Sequence, residues 1–381
     1  MVNEGVAKWF GLKRPNFILN PKDDADFYAQ RTRVDISSIV ESLRTDLVTE
    51  LPPKRLFWGV YGGGKTHTLF TLSVELGKII PIRPIYVECP NLSKKATFLY
   101  LYHGIVTSMG RDFVVGLFEE LIRNIGLVQR EDLLKKLEEM LEDEELSRAV
   151  ASLLGADPSK KLSFWRYISG VSVPLRDLVD LGQTQALTEA QPAKLAQFVI
   201  ILGKVLKKIK NQTLVFILDE LDRLGYVGEE TGSTFEDAFR KMVDPNQRDV
   251  SILMGCSGRN IRELPDVFGG EAGPVLTRIG RSGLIEIPEI DPNDVDTFIK
   301  EVLNYVRDKS VDISQRIEKI KPKIDEKLEP DFFPFTKEAI ETLKGNLTGI
   351  MTPREIEQRM TQAAGKAYRI KKPIVTRAIV G

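Results

Sequence analysis

The stretch Gly59-Val60-Tyr61-Gly62-Gly63-Gly64-Lys65-Thr66 decides the fold, because it matches the pattern G-x-x-x-x-G-K-S/T at every fixed position. A short predicted strand over 55–58 precedes it, and a helical pattern over 66–76 follows it. Glycines let successive backbone N–H groups face one anion, and the N-terminus of the next helix adds a partial positive charge. The stretch therefore predicts a strand, a phosphate-binding loop and a helix in sequence.

The polar residues that end this loop have predictable roles at a bound nucleotide. Lys65 is expected to reach the β- and γ-phosphates of ATP, and the Thr66 hydroxyl is expected to be a ligand of Mg²⁺. His67 is interpreted as a packed residue of the first helical turn rather than as a catalyst. The residues expected at the cofactor are Gly59, Gly62, Gly63, Gly64, Lys65, Thr66 and His67.

Predicted strands alternate with helices along the chain, as in an α/β protein with a parallel sheet. The predicted strands cover 55–58, 82–88, 214–218, 250–254 and 284–287. A large helical insert is expected over about 91–209, and within it the charged run 130–148 is interpreted as one solvated helix. We expect an N-terminal linker over 1–30, an ATPase domain over 31–291 and a helical lid subdomain over 292–381, with 330–335 extended.

An acidic pair, Asp219 and Glu220, follows the unbroken apolar run 214–218. Such a run suits a strand covered on both faces, and open α/β sheets bind ligands at the carboxyl ends of their strands. Asp219 is expected to hold Mg²⁺, and Glu220 is expected to orient and polarise the attacking water for hydrolysis of ATP. Asp222 and Arg223 are interpreted as surface charges of the next helix.

Composition and charge exclude several classes of protein. The 381 residues contain 42% hydrophobic and 28% charged residues, so neither a disordered nor a fibrous chain is indicated. Lys and Arg balance Asp and Glu at 54 each. The only cysteines, Cys89 and Cys256, are interpreted as core residues of a protein in a reducing compartment. The N-terminus lacks a leader pattern and no apolar run approaches a membrane span, so a cytoplasmic location is expected.

Two basic segments interrupt this neutral composition. No acidic residue follows Glu357, whereas six basic residues do. These are Arg359, Lys366, Arg369, Lys371, Lys372 and Arg377. The segment 8–14 combines basic residues with Trp9 and Phe10. Either segment could contact nucleic acid, but a solvated final helix and aromatic packing on the ATPase core are the favoured interpretations.

With the glycine-rich loop and the acidic pair in place, the sequence resembles the AAA+ ATPases, particularly the replication-initiator clade that includes origin-recognition proteins. The segment 251–257 resembles the sensor 1 strand of that family, and its polar tip Ser257 is the candidate for holding water near the γ-phosphate. The segment 276–279 resembles the motif with the family's arginine finger. The resemblance implies that Arg278, or alternatively Arg281, reaches the γ-phosphate of a neighbouring subunit.

Thr352-Pro353-Arg354-Glu355 combines a capping box with a proline at the first helical position, so a helix is expected to begin at Pro353. Arg354 resembles sensor 2 of the AAA+ lid, which implies contact with the phosphates. A cation at a helix N-terminus opposes the macrodipole, so a purely structural reason for it is weak. About 27 residues follow Arg354, too few for the winged helix of initiators.

Parts of the insert, 165–170 and 177–182, are similar to ATPases of bacteriophage-exclusion defence systems. The leading hypothesis is a Mg²⁺-dependent AAA+ ATPase that assembles with ATP between identical subunits. It would act as a switch or motor for DNA-associated machinery in mobile-element, defence or initiation-like functions. The alternative is a non-hydrolysing nucleotide-dependent scaffold that docks protein partners through the insert. A small-molecule kinase is disfavoured by Glu220, by the sensor candidates and by the lack of an evident acceptor site.

Overall fold

The computed structural model describes residues 2–27, 35–49, 51–79, 81–126, 129–268, 273–347 and 351–381. The strands among these residues are β1 (Lys54–Gly59), β2 (Ile82–Glu88), β3 (Thr213–Asp219), β4 (Val250–Ser257) and β5 (Leu284–Glu286). The helices are α1 (Val2–Phe10), α2 (Ile36–Val48), α3 (Lys65–Gly77), α4 (Phe98–Met109), α5 (Arg111–Ile125), α6 (Arg130–Leu141), α7 (Glu144–Ala151), α8 (Pro158–Ile168), α9 (Leu175–Asp180), α10 (Pro192–Lys210), α11 (Glu229–Met242), α12 (Pro274–Ile279), α13 (Val295–Val306), α14 (Ile313–Ile320), α15 (Lys337–Asn346), α16 (Pro353–Arg369) and α17 (Arg377–Val380). The predicted domain boundary between residues 30 and 31 lies outside the described residues.

The five strands form one sheet in the order β2-β3-β4-β1-β5. β3 pairs in parallel with both β2 and β4, and Glu88 lies opposite Asp219 at the ends of their strands. Every residue from Leu214 to Asp219 is buried, which explains the unbroken apolar run, because helices cover both faces of a parallel sheet. The prediction of an α/β sheet is confirmed.

The chain divides into two compact units. Unit 1 comprises Met1–Ile39, Gly59–Thr71 and Glu286–Gly381, and unit 2 comprises Val40–Trp58 and Leu72–Ile285. Each unit has its own hydrophobic core.

Unit 2 contains the sheet strands and the helical insert, which consists of the helices α4 to α10. The longest of them, α10, approaches the start of β4 closely at Gly203. A Cβ atom there would lie 2.4 Å from the carbonyl oxygen of Asp249 and 2.3 Å from Val250 Cγ1. Glycine therefore allows this helix to lie directly on the sheet, where its buried face joins the core.

The prediction of one helix over 130–148 is wrong, because the chain turns between α6 and α7. Glu142 ends α6 in the left-handed conformation at φ 56°. Asp143 then caps α7, because its carboxylate accepts a hydrogen bond of 2.8 Å from the Leu146 amide. The side chain of an N-cap residue accepts a hydrogen bond from the amide three residues later. This bond starts a new helix and competes with continuation of the preceding one.

Unit 1 packs α1 with the C-terminal helices around its own core, in which Phe10, Phe17 and Phe335 are fully buried. The segment predicted as an N-terminal linker contains α1, whose Val6 and Phe10 lie four residues apart and both face this core. A 3₁₀ turn occupies Pro330–Phe332 within the segment expected to be extended. Of the described helices, none has the length and apolarity that crossing a membrane requires.

Candidate nucleotide-binding site

The glycine-rich loop belongs to unit 1 and turns tightly after β1. Gly62 and Gly64 have φ values of 78° and 100°, which L-residues with side chains rarely adopt. The Gly63 amide donates to the Val60 carbonyl oxygen at 3.1 Å, and a Cβ at Gly63 would lie only 3.0 Å from that oxygen. The loop therefore needs its glycines to curl in front of the first turn of α3, where the partial positive charge of the helix N-terminus favours an anion.

Lys65 is the first residue of α3 and is only 7% exposed. Its Nζ donates to the carbonyl oxygens of Gly59 at 3.1 Å and of Val60 at 2.9 Å. The loop thus holds the ammonium group against two of its own carbonyl oxygens. Thr66 follows in the same turn and is partly exposed.

Arg354 reaches the tip of this loop from the N-terminus of α16, within the same unit. Its Nη1 donates to the Tyr61 hydroxyl at 2.7 Å, and its guanidinium lies 5.1 Å from the centre of that ring. A Cβ at Gly62 would lie 3.2 Å from Arg354 Cβ and 3.2 Å from Thr352 Oγ1. The glycine therefore permits the close approach of α16 to the loop.

The expected cap of α16 is present, since Thr352 Oγ1 accepts a hydrogen bond of 3.2 Å from the Glu355 amide. The helix begins at Pro353, as the sequence predicts. The cap places Arg354 in the first turn, so its exposed side chain projects beside the loop.

His67 packs in the first turn of α3, in keeping with its interpretation as a packed residue. Its Nε2 contacts the carbonyl oxygen of Phe27, and the two rings meet edge to face at 6.1 Å. One turn later the Thr71 hydroxyl donates to the Ala25 carbonyl oxygen at 2.9 Å. These contacts attach the N-terminal segment to the helix that follows the loop.

Asp219 ends β3 in unit 2 and is only 1% exposed. Both of its carboxylate oxygens accept hydrogen bonds, Oδ1 from the Glu220 amide at 2.8 Å and Oδ2 from the Tyr86 hydroxyl at 2.7 Å. Burial and the adjacent Asp219 carboxylate raise the pKa of Tyr86 far above its ordinary value, so this phenol remains a hydrogen-bond donor. Tyr86 therefore fixes the orientation of the carboxylate.

Glu220 forms an ion pair with Arg223, which also contacts Glu88 at 3.0 Å and the carbonyl oxygen of Cys89. Glu220 has φ 57°, a left-handed conformation that costs an ordinary residue about 1 to 2 kcal/mol. Burial raises the pKa of the Glu220 carboxyl, whereas the positive charge of Arg223 lowers it. The carboxylate is thus held towards Arg223.

The interpretation of Asp222 and Arg223 as surface charges of a helix is wrong. They lie in a 3₁₀ turn, Leu221–Tyr226, and Arg223 connects the ends of β2 and β3 through the contacts just described. Asp222 Oδ1 accepts a hydrogen bond of 3.2 Å from the Ser257 amide. These two residues therefore tie the acidic pair to the ends of the neighbouring strands.

The remaining predicted site residues also lie in unit 2. Ser257 is the last residue of β4 and is partly exposed. Arg278 lies in α12, where its Nη1 donates to the Pro274 carbonyl oxygen at 3.0 Å. Arg281 is exposed in the 3₁₀ turn that follows. Among the described residues, no acidic side chain forms an ion pair with Arg278.

Tyr61, Tyr86 and the role of Arg223 are not predicted by the sequence patterns. Tyr61 occupies a variable position of the loop pattern, so the pattern assigns it no role. Tyr86 lies two residues before Glu88 in β2, and strand alternation therefore puts Tyr86 and Glu88 on the same face of the sheet. Within the described part of the chain, no three His, Cys, Asp or Glu side chains form a cluster that could hold a metal. Mg²⁺ needs no such cluster when it is bound through one or two protein oxygens and substrate phosphates.

No protein-family model and no curated protein matches the sequence. Among solved structures, the chain is similar to Cdc6p from Pyrobaculum aerophilum, with 11% identity and a TM-score of 0.45 over 93% of this chain and 68% of that chain. It is also similar to the Aeropyrum pernix ORC2 protein, with 12% identity and a TM-score of 0.49 over 93% of this chain and 68% of that chain. A third similar structure is domain III of the Thermotoga maritima replication initiation protein DnaA, with 12% identity and a TM-score of 0.40 over 95% of each chain.

The described structure itself defines the fold class. A parallel β-sheet, a glycine-rich loop directly after one of its strands and a helix that begins with Lys65-Thr66 occur in the order that the motif requires. The acidic pair ends another strand of the same sheet. The chain therefore has the fold of a P-loop NTPase.

Proposed function

We propose that the chain is an AAA+ protein that binds and hydrolyses ATP with Mg²⁺. It assembles in its ATP state and serves as a switch or motor for DNA-associated machinery. The observation that carries the proposal is the glycine-rich loop with the buried Lys65 ammonium held by the carbonyl oxygens of Gly59 and Val60. A buried lysine with two carbonyl partners is held in place before an anion arrives, which lowers the entropic cost of binding.

The glycine-rich loop and Arg354 bind and orient the nucleotide in this proposal. Lys65 exchanges its carbonyl partners for the β- and γ-phosphate oxygens, and the first amides of α3 donate to the same anion. Arg354, which contacts Tyr61 at the loop tip, adds positive charge beside the bound phosphates. Mg²⁺ would neutralise developing charge on the phosphates, with Thr66 and Asp219 as its protein oxygen ligands.

The acidic pair and the residues proposed to assist it supply the hydrolytic step. Glu220 takes the proton of the attacking water as general base, for which its carboxyl must be ionised. Because Glu220 is paired with Arg223, this ion pair has to loosen before the carboxylate can face water. Ser257 is proposed to hold that water, and Arg278 to act on the nucleotide of a neighbouring subunit.

The test is ATP binding by titration calorimetry, together with phosphate release in the presence of Mg²⁺. Lys65→Ala should abolish binding because it removes the charge that faces the phosphates. Lys135→Ala, on the exposed side of α6, is a matched control and should bind like the wild type. Unchanged ATP affinity in Lys65→Ala would overturn the proposal.

A second candidate function is a nucleotide-dependent scaffold that does not hydrolyse ATP. It is favoured by the insert helix α9, which leaves Leu175 71% and Val179 65% exposed on one side, four residues apart. Phosphate release with and without DNA separates the two functions. Nucleotide binding without turnover in either condition would favour the scaffold.

A further inference from the structure

Two basic segments that are remote in sequence meet in unit 1. Trp9 at the end of α1 packs edge to face against Tyr368 near the end of α16, with ring centres 5.8 Å apart. The Trp9 indole N–H donates to the Lys372 carbonyl oxygen at 2.9 Å. Gly5 permits this approach, since a Cβ there would lie 2.2 Å from the Tyr368 hydroxyl oxygen. The Trp9 ring is therefore fixed at the surface, 37% exposed.

Cations surround this aromatic pair. Lys371 Nζ lies 4.7 Å from the centre of the Tyr368 ring and 5.9 Å from that of Trp9. Lys371 adopts φ 59°, a conformation unfavourable for a residue with a side chain, and this turn brings its ammonium group back over both rings. Lys8 and Lys372 are exposed beside them. We define the Trp9 surface as Lys8, Trp9, Tyr368, Arg369, Lys371 and Lys372.

The charges of the Trp9 surface have no acidic counterpart in the described residues. None of its four cations, Lys8, Arg369, Lys371 and Lys372, forms an ion pair among the described residues. Exposed cations elsewhere in unit 1 do pair with Asp or Glu, as Lys327 does with Glu329. The helix dipoles favour Arg369 in the last turn of α16 and Lys8 in the last turn of α1. Lys371 and Lys372 lie outside both helices and bring the number of cations beside the aromatic pair to four. This concentration of unpaired charge calls for an anionic partner.

We infer that the Trp9 surface binds the phosphodiester backbone of a nucleic acid. Closely spaced cations neutralise successive phosphates, while the rigid Trp9 and Tyr368 rings offer a platform for a sugar or base. The inference deepens the proposed DNA-associated function and rests on it. An anionic membrane is the less favoured partner, because Ile370 is the main exposed aliphatic side chain beside the cations, which is too little apolar area for interfacial insertion.

The test measures binding of fluorescein-labelled single-stranded DNA, the corresponding duplex and an RNA of the same sequence, by anisotropy over a series of salt concentrations. The double variant Lys371→Gln/Lys372→Gln should bind more weakly, with a salt slope smaller by about 1.8 for duplex and about 1.4 for single strands. The matched control is Lys135→Gln/Lys136→Gln on α6, an exposed pair in unit 2 that should behave like the wild type. The nucleic acid with the highest affinity of the three identifies the kind that this surface binds.

Tryptophan fluorescence locates the contact independently. Nucleic acid should quench the wild-type signal, Trp9→Phe should lose that change, and Trp165→Phe should retain it. Equal affinity and salt slope in the wild type and the Lys371/Lys372 variant would overturn the inference, as would binding to phosphatidylserine vesicles but to no nucleic acid. An ATP titration of the same proteins keeps the two proposals apart. If the protein binds ATP but no nucleic acid, only the proposal for the Trp9 surface is contradicted. If it binds nucleic acid but no ATP, only the proposal for the nucleotide site is contradicted.

Discussion

Arg354 lies over the ring of Tyr61 and donates to its hydroxyl at 2.7 Å, so the first turn of α16 is connected to the tip of the phosphate-binding loop. A cation in the first turn of a helix opposes the helix dipole, and this position therefore needs a compensating partner. Tyr61 supplies one. A nucleotide phosphate at the loop would supply a stronger one, which is the basis of the first prediction.

Arg354→Ala should weaken ATP binding by about ten- to a hundredfold, the range for a hydrogen bond to a charged group. Tyr61→Phe keeps the ring under the guanidinium and loses only the hydroxyl, so its effect on ATP affinity should be smaller. Arg359→Ala, further along α16, removes a partly exposed ion pair with Glu355 and serves as the control. Titration calorimetry measures all three. Equal ATP affinity in Arg354→Ala and Arg359→Ala would count against the contact with phosphate.

Tyr86→Phe should raise the Mg²⁺ concentration needed for half-maximal phosphate release by about tenfold. The phenol donates to Asp219 Oδ2, and its loss leaves a buried carboxylate with one donor fewer and a less defined orientation. Tyr100→Phe, on an exposed side chain of α4, is the matched control. An unchanged Mg²⁺ requirement in Tyr86→Phe would show that Asp219 is oriented without it.

Arg223→Gln should move the acid limb of the pH–rate profile to higher pH. Glu220 acts as a base only when ionised, so turnover falls as the pH falls through its pKa. Burial raises that pKa, Arg223 lowers it and Glu88 raises it, so removing Arg223 raises the pKa further. Glu88→Gln should shift the limb in the opposite direction. Shifts of the same sign in both variants, or none, would contradict the assignment of Glu220 as the titrating base.

Arg278 is predicted to act across a subunit boundary. Arg278→Ala and Glu220→Gln subunits should each be inactive alone, but mixing them should restore turnover, because some interfaces would pair an intact Glu220 with an intact Arg278. An arginine that acts within its own subunit could not be rescued in this way. The measurement is phosphate release across mixing ratios, with assembly followed by sedimentation. Assembled mixtures without activity at any ratio, or a fully active monomer, would reject the shared site.

Patterns in the sequence predict the elements that are long or chemically constrained. The apolar run 214–218, the glycine-rich loop and the Thr352 cap all correspond to the structure, because burial, backbone conformation and capping each require particular residue types at particular positions. Short elements are harder to predict. The nine-residue helix α1 includes Gly5, which lowers helix propensity and is present because Tyr368 approaches there.

Contacts between remote residues could not be predicted. Arg223 is one charge among many in the sequence, and only the pairing of β2 with β3 brings Glu88 and Glu220 to its two sides. Tyr86 likewise meets Asp219 through strand register, and Trp9 meets Tyr368 through the packing of the two ends of the chain. These relationships arise from tertiary structure, which local patterns do not encode.

The central claim is that Glu220 is the base for ATP hydrolysis, and Glu220→Gln tests it most directly. The substitution keeps the size of the side chain and removes its basicity, so the variant should bind ATP and Mg²⁺ like the wild type. Its rate of phosphate release should fall about 10²-fold or more, as expected when a positioned base is lost. Phosphate release at the wild-type rate, with ATP binding intact, would contradict the account.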